Sequence, residues 1–147
     1  MKRSRTVLWA AVSGSVLALA AAAVAGPAED RQAVMKQVGQ GMKEGAGYAT
    51  GQTPFDAAKV KTVMDGIAAS GKKLHGLYTA GSGGDPKSSA DPKIWTNKAD
   101  FDKRLTEMST LATTAGKAKT VDAFKPAFTA LSGTCKSCHD IYRKKKA

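Results

Sequence analysis

The chain has 147 residues, with 23 Lys and Arg against 12 Asp and Glu, so its formal net charge is +11. This length suits one domain and excludes a multidomain enzyme. Two cysteines are too few for a disulfide scaffold, for a four-cysteine zinc site or for an iron–sulfur cluster. Hydrophobic residues make up 42% of the chain, which is enough for a folded core and argues against wholesale disorder.

The first 25 residues have the pattern of a secretory signal peptide. Basic residues within the first five precede an uncharged stretch from Thr6 to Val24, and Ala23-Val24-Ala25 matches a cleavage site. The alternative is an uncleaved membrane anchor, because the stretch approaches the ~20 residues that span a bilayer. We predict cleavage after Ala25, export to the periplasm and no stable membrane insertion afterwards. Cleavage removes three basic and no acidic residues, which lowers the net charge from +11 to +8.

Apolar residues recur at helical spacing in four segments of the remaining chain, and the alternation typical of strands is nearly absent. The predicted helices span about 28–49, 55–73, 98–115 and 120–145. A connection rich in Gly, Ser and Pro separates the second helix from the third, with Ile94 and Trp95 as its anchors in the core. Four amphipathic helices with three connections predict an all-α antiparallel four-helix bundle.

Two features of these segments conflict with helix propensity. The first segment contains Gly39, Gly41, Gly45 and Gly47, and a glycine inside a helix costs about 1 kcal/mol relative to alanine. Close approach of a flat ligand or of a neighbouring helix would offset that cost. In the last segment Pro126 removes one helical hydrogen bond and predicts a bend or a restart of the helix.

The chemistry of the chain is concentrated at Cys135-Lys136-Ser137-Cys138-His139, which is the C-x-x-C-H pattern of c-type haem attachment. Two thiols three residues apart on a helical turn can each bond one vinyl group at a haem edge. The imidazole of His139 can then ligate the iron. Both cysteines continue the apolar stripe of the last helix. The motif therefore predicts one haem c, covalently bound through Cys135 and Cys138 and held in the bundle core.

Three other uses of the cysteines compete with haem attachment. A thioredoxin-like redox site normally follows a strand and opens a helix, whereas this pair lies late in a helix. A zinc site would use Cys135, Cys138 and His139 with His75 as the fourth ligand, but adjacent residues on a helix point about 100° apart. A structural disulfide between the two cysteines is the third alternative. The predicted export favours haem, because attachment of this kind takes place outside the cytoplasmic membrane.

Four short stretches follow one another in an order that carries a family resemblance: Arg31-Gln32, Thr53-Pro54-Phe55-Asp56-Ala57-Ala58, Pro92-Lys93-Ile94-Trp95 and the stretch from Cys135 to Lys145. The chain resembles the cytochrome c′ family over essentially its whole length after the predicted signal peptide. The last stretch is the most specific of the four. The resemblance implies a four-helix bundle whose haem is attached near the C-terminus and whose iron is ligated by His139.

The resemblance also implies which residue faces the iron from the opposite side. It places this position four residues after the helix-one arginine, which here gives Met35. High-spin, gas-binding members usually carry an aliphatic residue there, whereas methionine marks low-spin members such as cytochrome c-556. A thioether is a soft ligand suited to haem iron. Met35 is therefore the predicted second metal ligand, with core packing as the alternative and Met42 as a competitor on the same helix face.

Two arginines complete the predicted haem-binding set. The resemblance implies that Arg31 pairs with the haem carboxylates, for which a guanidinium can donate two parallel hydrogen bonds. It places Arg143 near the pocket of His139, where a positive charge would raise the reduction potential. The alternatives are an exposed helical charge for Arg31 and a complement to the helix dipole for Arg143. His75 is predicted to lie solvated in or near a loop.

The predicted function is one-electron transfer, and an enzyme is not expected, because two axial ligands would block substrate chemistry at the iron. The basic surface favours acidic redox proteins as partners and does not suggest nucleic acid, since the lysines are scattered and the chain is exported. The alternative is a five-coordinate protein that binds nitric oxide or carbon monoxide for detoxification or sensing. A thiol oxidoreductase is the third hypothesis. The sequence leaves open whether the chain is a monomer or a homodimer.

Overall fold

The computed structural model describes residues 26–145, so the predicted signal peptide lies outside the described residues. The described chain folds into five helices: α1 (Pro27–Thr50), α2 (Ala57–His75), α3 (Lys93–Thr96), α4 (Lys98–Ala115) and α5 (Val121–Tyr142). Between residues 26 and 145, none of the helices has the length and apolar character needed to cross a membrane. The four long helices match the four predicted segments, and α3 is a single additional turn.

The long helices alternate in direction around one core. A Cβ on Gly41 of α1 would lie 3.0 Å from Ile67, whereas Gly47, further along α1, faces Thr53 just before α2. On α4, the Ser109 hydroxyl donates to the Ala68 carbonyl of α2 at 3.1 Å. The packing of α2 on both α1 and α4, and of α5 on α4 and α1, closes the bundle. The prediction of an all-α antiparallel four-helix bundle is confirmed.

The prediction that the last helix continues to residue 145 is wrong at its end. Helix α5 stops at Tyr142, and Arg143 adopts an extended conformation with φ −111° and ψ 128°. The Lys144 amide donates to the Ser89 carbonyl and the Asp91 amide donates to the Tyr142 carbonyl, each at 2.9 Å. These antiparallel hydrogen bonds tie the tail to the connection before α3 and satisfy backbone groups that a further helical turn would leave exposed.

Pro126 does not restart the last helix, contrary to that part of the prediction. Helix α5 is one continuous element with Pro126 inside it, and the Thr120 hydroxyl caps it by accepting a hydrogen bond from the Ala123 amide at 3.3 Å. The proline removes a single donor close to the helix start. Burial of Phe124 and Phe128 in the core on either side of it stabilises the helical path.

Residues 76–92, called here the 76–92 connection, run along the bundle between α2 and α3. Ile94 and Trp95 anchor the end of this connection in the core, as predicted. Ile94 is fully buried, and the half-buried Trp95 packs against Tyr78 with ring centroids 6.2 Å apart. His75 departs from its prediction, because it is the last residue of α2. Its Nδ1 lies 3.1 Å from Asp102 Oδ1 of α4, so helix packing rather than a solvated loop holds the ring.

Two of the four predicted glycines of α1, Gly41 and Gly45, allow the close approach of a neighbouring helix. A Cβ on Gly45 would overlap the ring of Phe128, and Gly41 has similarly little room against Ile67. Both glycines therefore allow a neighbouring helix to approach. Gly39 differs, because a Cβ there would meet nothing within 4 Å.

Replacing Gly45 with alanine is expected to lower the free energy of unfolding by about 1–3 kcal/mol, since overpacking outweighs the better helix propensity. The matched control is Gly66→Ala on the exposed face of α2, where a Cβ has no neighbour within 4 Å. That variant should gain roughly 0.5–1 kcal/mol. Denaturant unfolding of both proteins measures the difference, and equal effects would contradict the packing assigned to Gly45.

Candidate haem-binding site

A cavity of about 560 Å³ lies between α1, α4, α5 and the residues that connect α2 to α4. Its volume is within the range of roughly 300–1,000 Å³ typical of cofactor sites. It brings together all six predicted site residues, which are Arg31, Met35, Cys135, Cys138, His139 and Arg143. His75 is not among the residues that line it. Residues far apart in the sequence thus meet at one cavity.

The two cysteines lie on the cavity wall late in α5, both half-buried and both free. Burial raises the pKa of the Cys135 thiol, and it raises the pKa of Cys138 to about 11 against the opposing effect of Arg104. Reactive redox cysteines have lowered pKa values and lie near helix N-termini or beside strong positive charge. The site therefore lacks the features of a thiol oxidoreductase, and no disulfide joins the two residues.

His139 lines the same cavity, next to Cys138 in sequence, although the residue as a whole is exposed. Partial burial, followed by the neighbouring Arg143 charge, lowers the pKa of the imidazole. Its neutral form, which is the form that ligates metals, is therefore favoured. Among residues 26–145, no three His, Cys, Asp or Glu side chains converge as a metal cluster, so the zinc alternative has no geometric support.

The opposite wall of the cavity is formed by one face of α1. Met35, Gly39 and Met42 line it at helical spacing. Because nothing lies within 4 Å of a Cβ built on Gly39, the backbone of α1 leaves space for a flat group to approach between the two methionines. The cavity thus has a thioether-bearing wall on α1 and an imidazole-bearing wall on α5.

Arg31 is the most deeply buried charged residue of the site, with 3% of its surface exposed. Its guanidinium donates to four acceptors in the 76–92 connection: the Leu77 carbonyl (3.0 Å), the Ser82 hydroxyl (3.1 Å) and carbonyl (3.0 Å), and the Ser88 hydroxyl (3.3 Å). It also lies 5.0 Å from the centre of the Tyr78 ring. Arg31 is therefore not an exposed helical charge. The structure assigns it to this connection, and its pairing with haem carboxylates stays a prediction.

Arg104 and its partner Asp100 also belong to the site, although the sequence pattern did not indicate them. Arg104 lines the cavity from α4, where its Nε donates to Asp100 Oδ2 at 2.7 Å. The Tyr142 hydroxyl donates to the same oxygen at 2.6 Å. The four-residue spacing of Asp100 and Arg104 could have indicated an ion pair. Only the packing of α4 against α5 places the Arg104 side of α4 at the cavity.

The lining of the cavity fits a haem. Most of it is apolar, with Val38, Ile94, Phe101, Leu105 and Met108 among its residues, so it can cover a flat hydrophobic ring. Within residues 26–145, its charged lining residues are all cations, namely Arg31, Lys36, Arg104 and Arg143, and no carboxylate lines it. That charge complements the two carboxylates of a haem. The thiol pair, the imidazole and the apolar walls supply the remaining groups that haem c requires.

Comparisons with known proteins give the same result. A family model described as Cytochrome C' matches residues 26–143. The chain is 38% identical to a cytochrome c′ of Rhodopseudomonas palustris, covering 99% of this chain and 98% of that protein. It is 33% identical to a cytochrome c-556 of Agrobacterium fabrum, with 95% of each chain covered. A solved structure of cytochrome c′ from Rhodopseudomonas palustris superposes with a TM-score of 0.78 and 36% identity, covering 84% of this chain and 100% of that one.

The fold and the site define a haem-binding bundle of the c type, in which the attachment motif lies on the last helix. The chain belongs to the cytochrome c′ family. Members of this family bind haem c and are periplasmic cytochromes that act as electron carriers or gas binders. Its relatives carry both names, cytochrome c′ and cytochrome c-556.

Proposed function

We propose that this protein is a periplasmic one-electron carrier with a single haem c, whose iron is ligated by His139 and Met35. The observation that carries the proposal is that Met35 and His139 line one cavity from two different helices, together with the Cys135 and Cys138 thiols. The similarity to proteins named cytochrome c-556 adds support, because the family resemblance associates that name with methionine at this position.

Each residue of the site has a separate task in this proposal. Cys135 and Cys138 would hold the macrocycle covalently, and His139 and Met35 would supply the two protein ligands to the iron. When bound, haem supplies a one-electron iron couple whose reduced form is favoured by a methionine ligand. The apolar walls exclude water, and Arg31 and Arg143 provide positive charge at the cavity. With His139 and Met35 both bound to the iron, no position would remain for substrate chemistry at the metal.

Export and partners follow from charge and from the N-terminal pattern. Residues 1–25 are proposed to direct the chain through the general secretion pathway before haem attachment. The net charge of +8 that remains after cleavage would steer the protein toward acidic redox partners in a salt-dependent way. A homodimer is compatible with this function and is not required by it.

An optical spectrum of the holoprotein tests the proposal. Low-spin bands are expected in both the oxidised and the reduced state, with little change within minutes of adding carbon monoxide to the reduced protein. A high-spin spectrum that changes rapidly with carbon monoxide would contradict ligation by Met35. A colourless protein from a host that matures c-type cytochromes would contradict haem attachment altogether.

Gas binding is the second candidate function, because the relative at 38% identity is named cytochrome c′ rather than cytochrome c-556. In that case Met35 would pack against the haem without ligating it, and the α1 face of the cavity would admit nitric oxide or carbon monoxide. The space beside Gly39 supports access of a small ligand from this side. The carbon monoxide experiment separates the two functions.

A further inference from the structure

A three-residue cluster of Asp100, Arg104 and Tyr142 joins α4 to α5 beside the cavity. One carboxylate oxygen of Asp100 accepts two hydrogen bonds, from Arg104 Nε at 2.7 Å and from the Tyr142 hydroxyl at 2.6 Å. The guanidinium carbon lies 6.0 Å from the centre of the Tyr142 ring, and Arg104 Nη1 reaches the Ser137 hydroxyl at 3.4 Å. These contacts hold the Arg104 side chain in one position relative to the attachment helix.

The two charges of the pair are placed unequally relative to the cavity. Arg104 lines the cavity beside Cys138, whereas Asp100 does not line it. Hydrogen bonds from Arg104 and then Tyr142 lower the pKa of Asp100, so the carboxylate is ionised at neutral pH. The pair therefore presents its positive end to the cavity and keeps its negative end behind it.

We infer that the Asp100–Arg104 pair raises the reduction potential of the bound haem. The inference rests on the proposed function, because it requires haem in the cavity. Reduction adds one electron from an external one-electron donor to the iron, and no bond in the protein forms or breaks. A cation facing the haem stabilises the reduced form, and an anion stabilises the oxidised form.

A second ion pair in the same region provides a matched control. Lys136 and Asp140 are also four residues apart, one within the haem-attachment motif and the other directly after it, but their side chains are 78% and 60% exposed. The side chains of Arg104 and Asp100 are 23% and 36% exposed. Solvent and salt screen the first pair more strongly than the second. The control pair should therefore have little influence on the potential, although it lies closer in sequence to His139.

Reduction potentials of the holoproteins test the inference, measured by spectroelectrochemical titration. At a fixed solution potential, Arg104→Gln is expected to shift the ratio of reduced to oxidised protein about fivefold toward the oxidised form. Asp100→Asn is expected to shift it in the opposite direction, since the cation then lacks its counter-charge. Tyr142→Phe and the control Lys136→Gln should each change the ratio less than about twofold. Tyr142→Phe should also lower the denaturation midpoint, because it removes a part-buried hydrogen bond to a carboxylate.

Opposite shifts of the reduction potential in the two charge variants would distinguish an electrostatic role of the pair from a structural one. If Arg104 acted only as a clamp between helices, its variant and Asp100→Asn would both lose stability without opposite changes in potential. Arg104→Lys retains the positive charge, so its ratio of reduced to oxidised protein should stay within about twofold of the wild-type ratio. This comparison carries the test if Asp100→Asn fails to accumulate as holoprotein.

Three results would overturn the inference: shifts in the same direction, shifts below twofold in both charge variants, or an Arg104→Lys protein that behaves like Arg104→Gln. In each of these cases a red, low-spin protein would leave the proposed electron-carrier function intact. A colourless wild-type protein, by contrast, would contradict the proposed function itself. The two failures are therefore distinguishable.

Discussion

Replacing Met35 with leucine is expected to convert the low-spin holoprotein into a high-spin one in both oxidation states. Leucine has nearly the volume of methionine, so the cavity wall on α1 should persist at a cost below about 1.5 kcal/mol. It has no sulfur lone pair to donate, so the iron would lose its sixth ligand. Optical and electron paramagnetic resonance spectra of the purified holoprotein measure the change.

Met42→Leu is the matched control for this prediction. Met42 lies two turns further along α1 and lines the same cavity, so both variants replace one thioether of the same wall. The low-spin spectrum should survive in Met42→Leu, whereas Met35→Leu should gain rapid carbon monoxide binding in the reduced state. The reverse outcome would assign the ligand to Met42, and unchanged spectra in both variants would remove α1 from the iron.

Replacing Arg31 with methionine is expected to lower the free energy of unfolding by about 3 kcal/mol or more, the second large effect. Methionine preserves much of the side-chain length but leaves the four acceptors of the 76–92 connection without their donor. Three of the four hydrogen bonds are part-buried, and the Ser88 hydroxyl keeps a hydrogen bond from the Ala90 amide. Because a hydrogen bond from a charged donor contributes about 1.5–3 kcal/mol, losing all four is still expected to reach this value. Denaturant unfolding of the holoprotein measures the total loss.

A neighbouring residue gives the control for Arg31. Gln32 also binds the 76–92 connection, since its Nε2 donates to the Lys87 carbonyl at 3.1 Å, but this hydrogen bond is exposed. Gln32→Met should therefore change stability by less than about 0.5 kcal/mol. Hydrogen exchange should show faster exchange at the Leu77 and Ser88 amides in Arg31→Met alone. Similar losses in both variants would mean that Arg31 is not the residue that holds the connection.

Local periodicity explains why the helices could be predicted. The apolar stripe of the last segment predicted α5 nearly from its first residue, because burial along one face stabilises a helix whatever its neighbours are. The error at its end has a tertiary cause. Lys144 and Tyr142 pair with Ser89 and Asp91 of the 76–92 connection, about fifty residues earlier in the chain. A pattern read over a few turns contains no information about that partner.

The residues of the candidate site likewise differ in how far the sequence alone could predict them. C-x-x-C-H could be recognised from sequence because attachment of a haem requires two thiols at a fixed spacing and an adjacent imidazole. Met35 depended on the family resemblance, since methionine at helical spacing is more often core packing. Arg104 was missed, because the charge pattern of one helix does not show which neighbour it faces.

The amino-acid sequence by itself determined the helical segments, the antiparallel bundle and the haem-attachment motif, because each depends on short-range spacing along the chain. Only the tertiary structure decided which faces enclose the cavity, that Arg31 is buried in the 76–92 connection and that Arg104 faces Cys138 with Asp100 behind it. The physical reason is that burial and hydrogen-bond partners arise from contacts between residues distant in sequence. The sequence specifies the charge of a side chain, but tertiary packing determines which groups surround it.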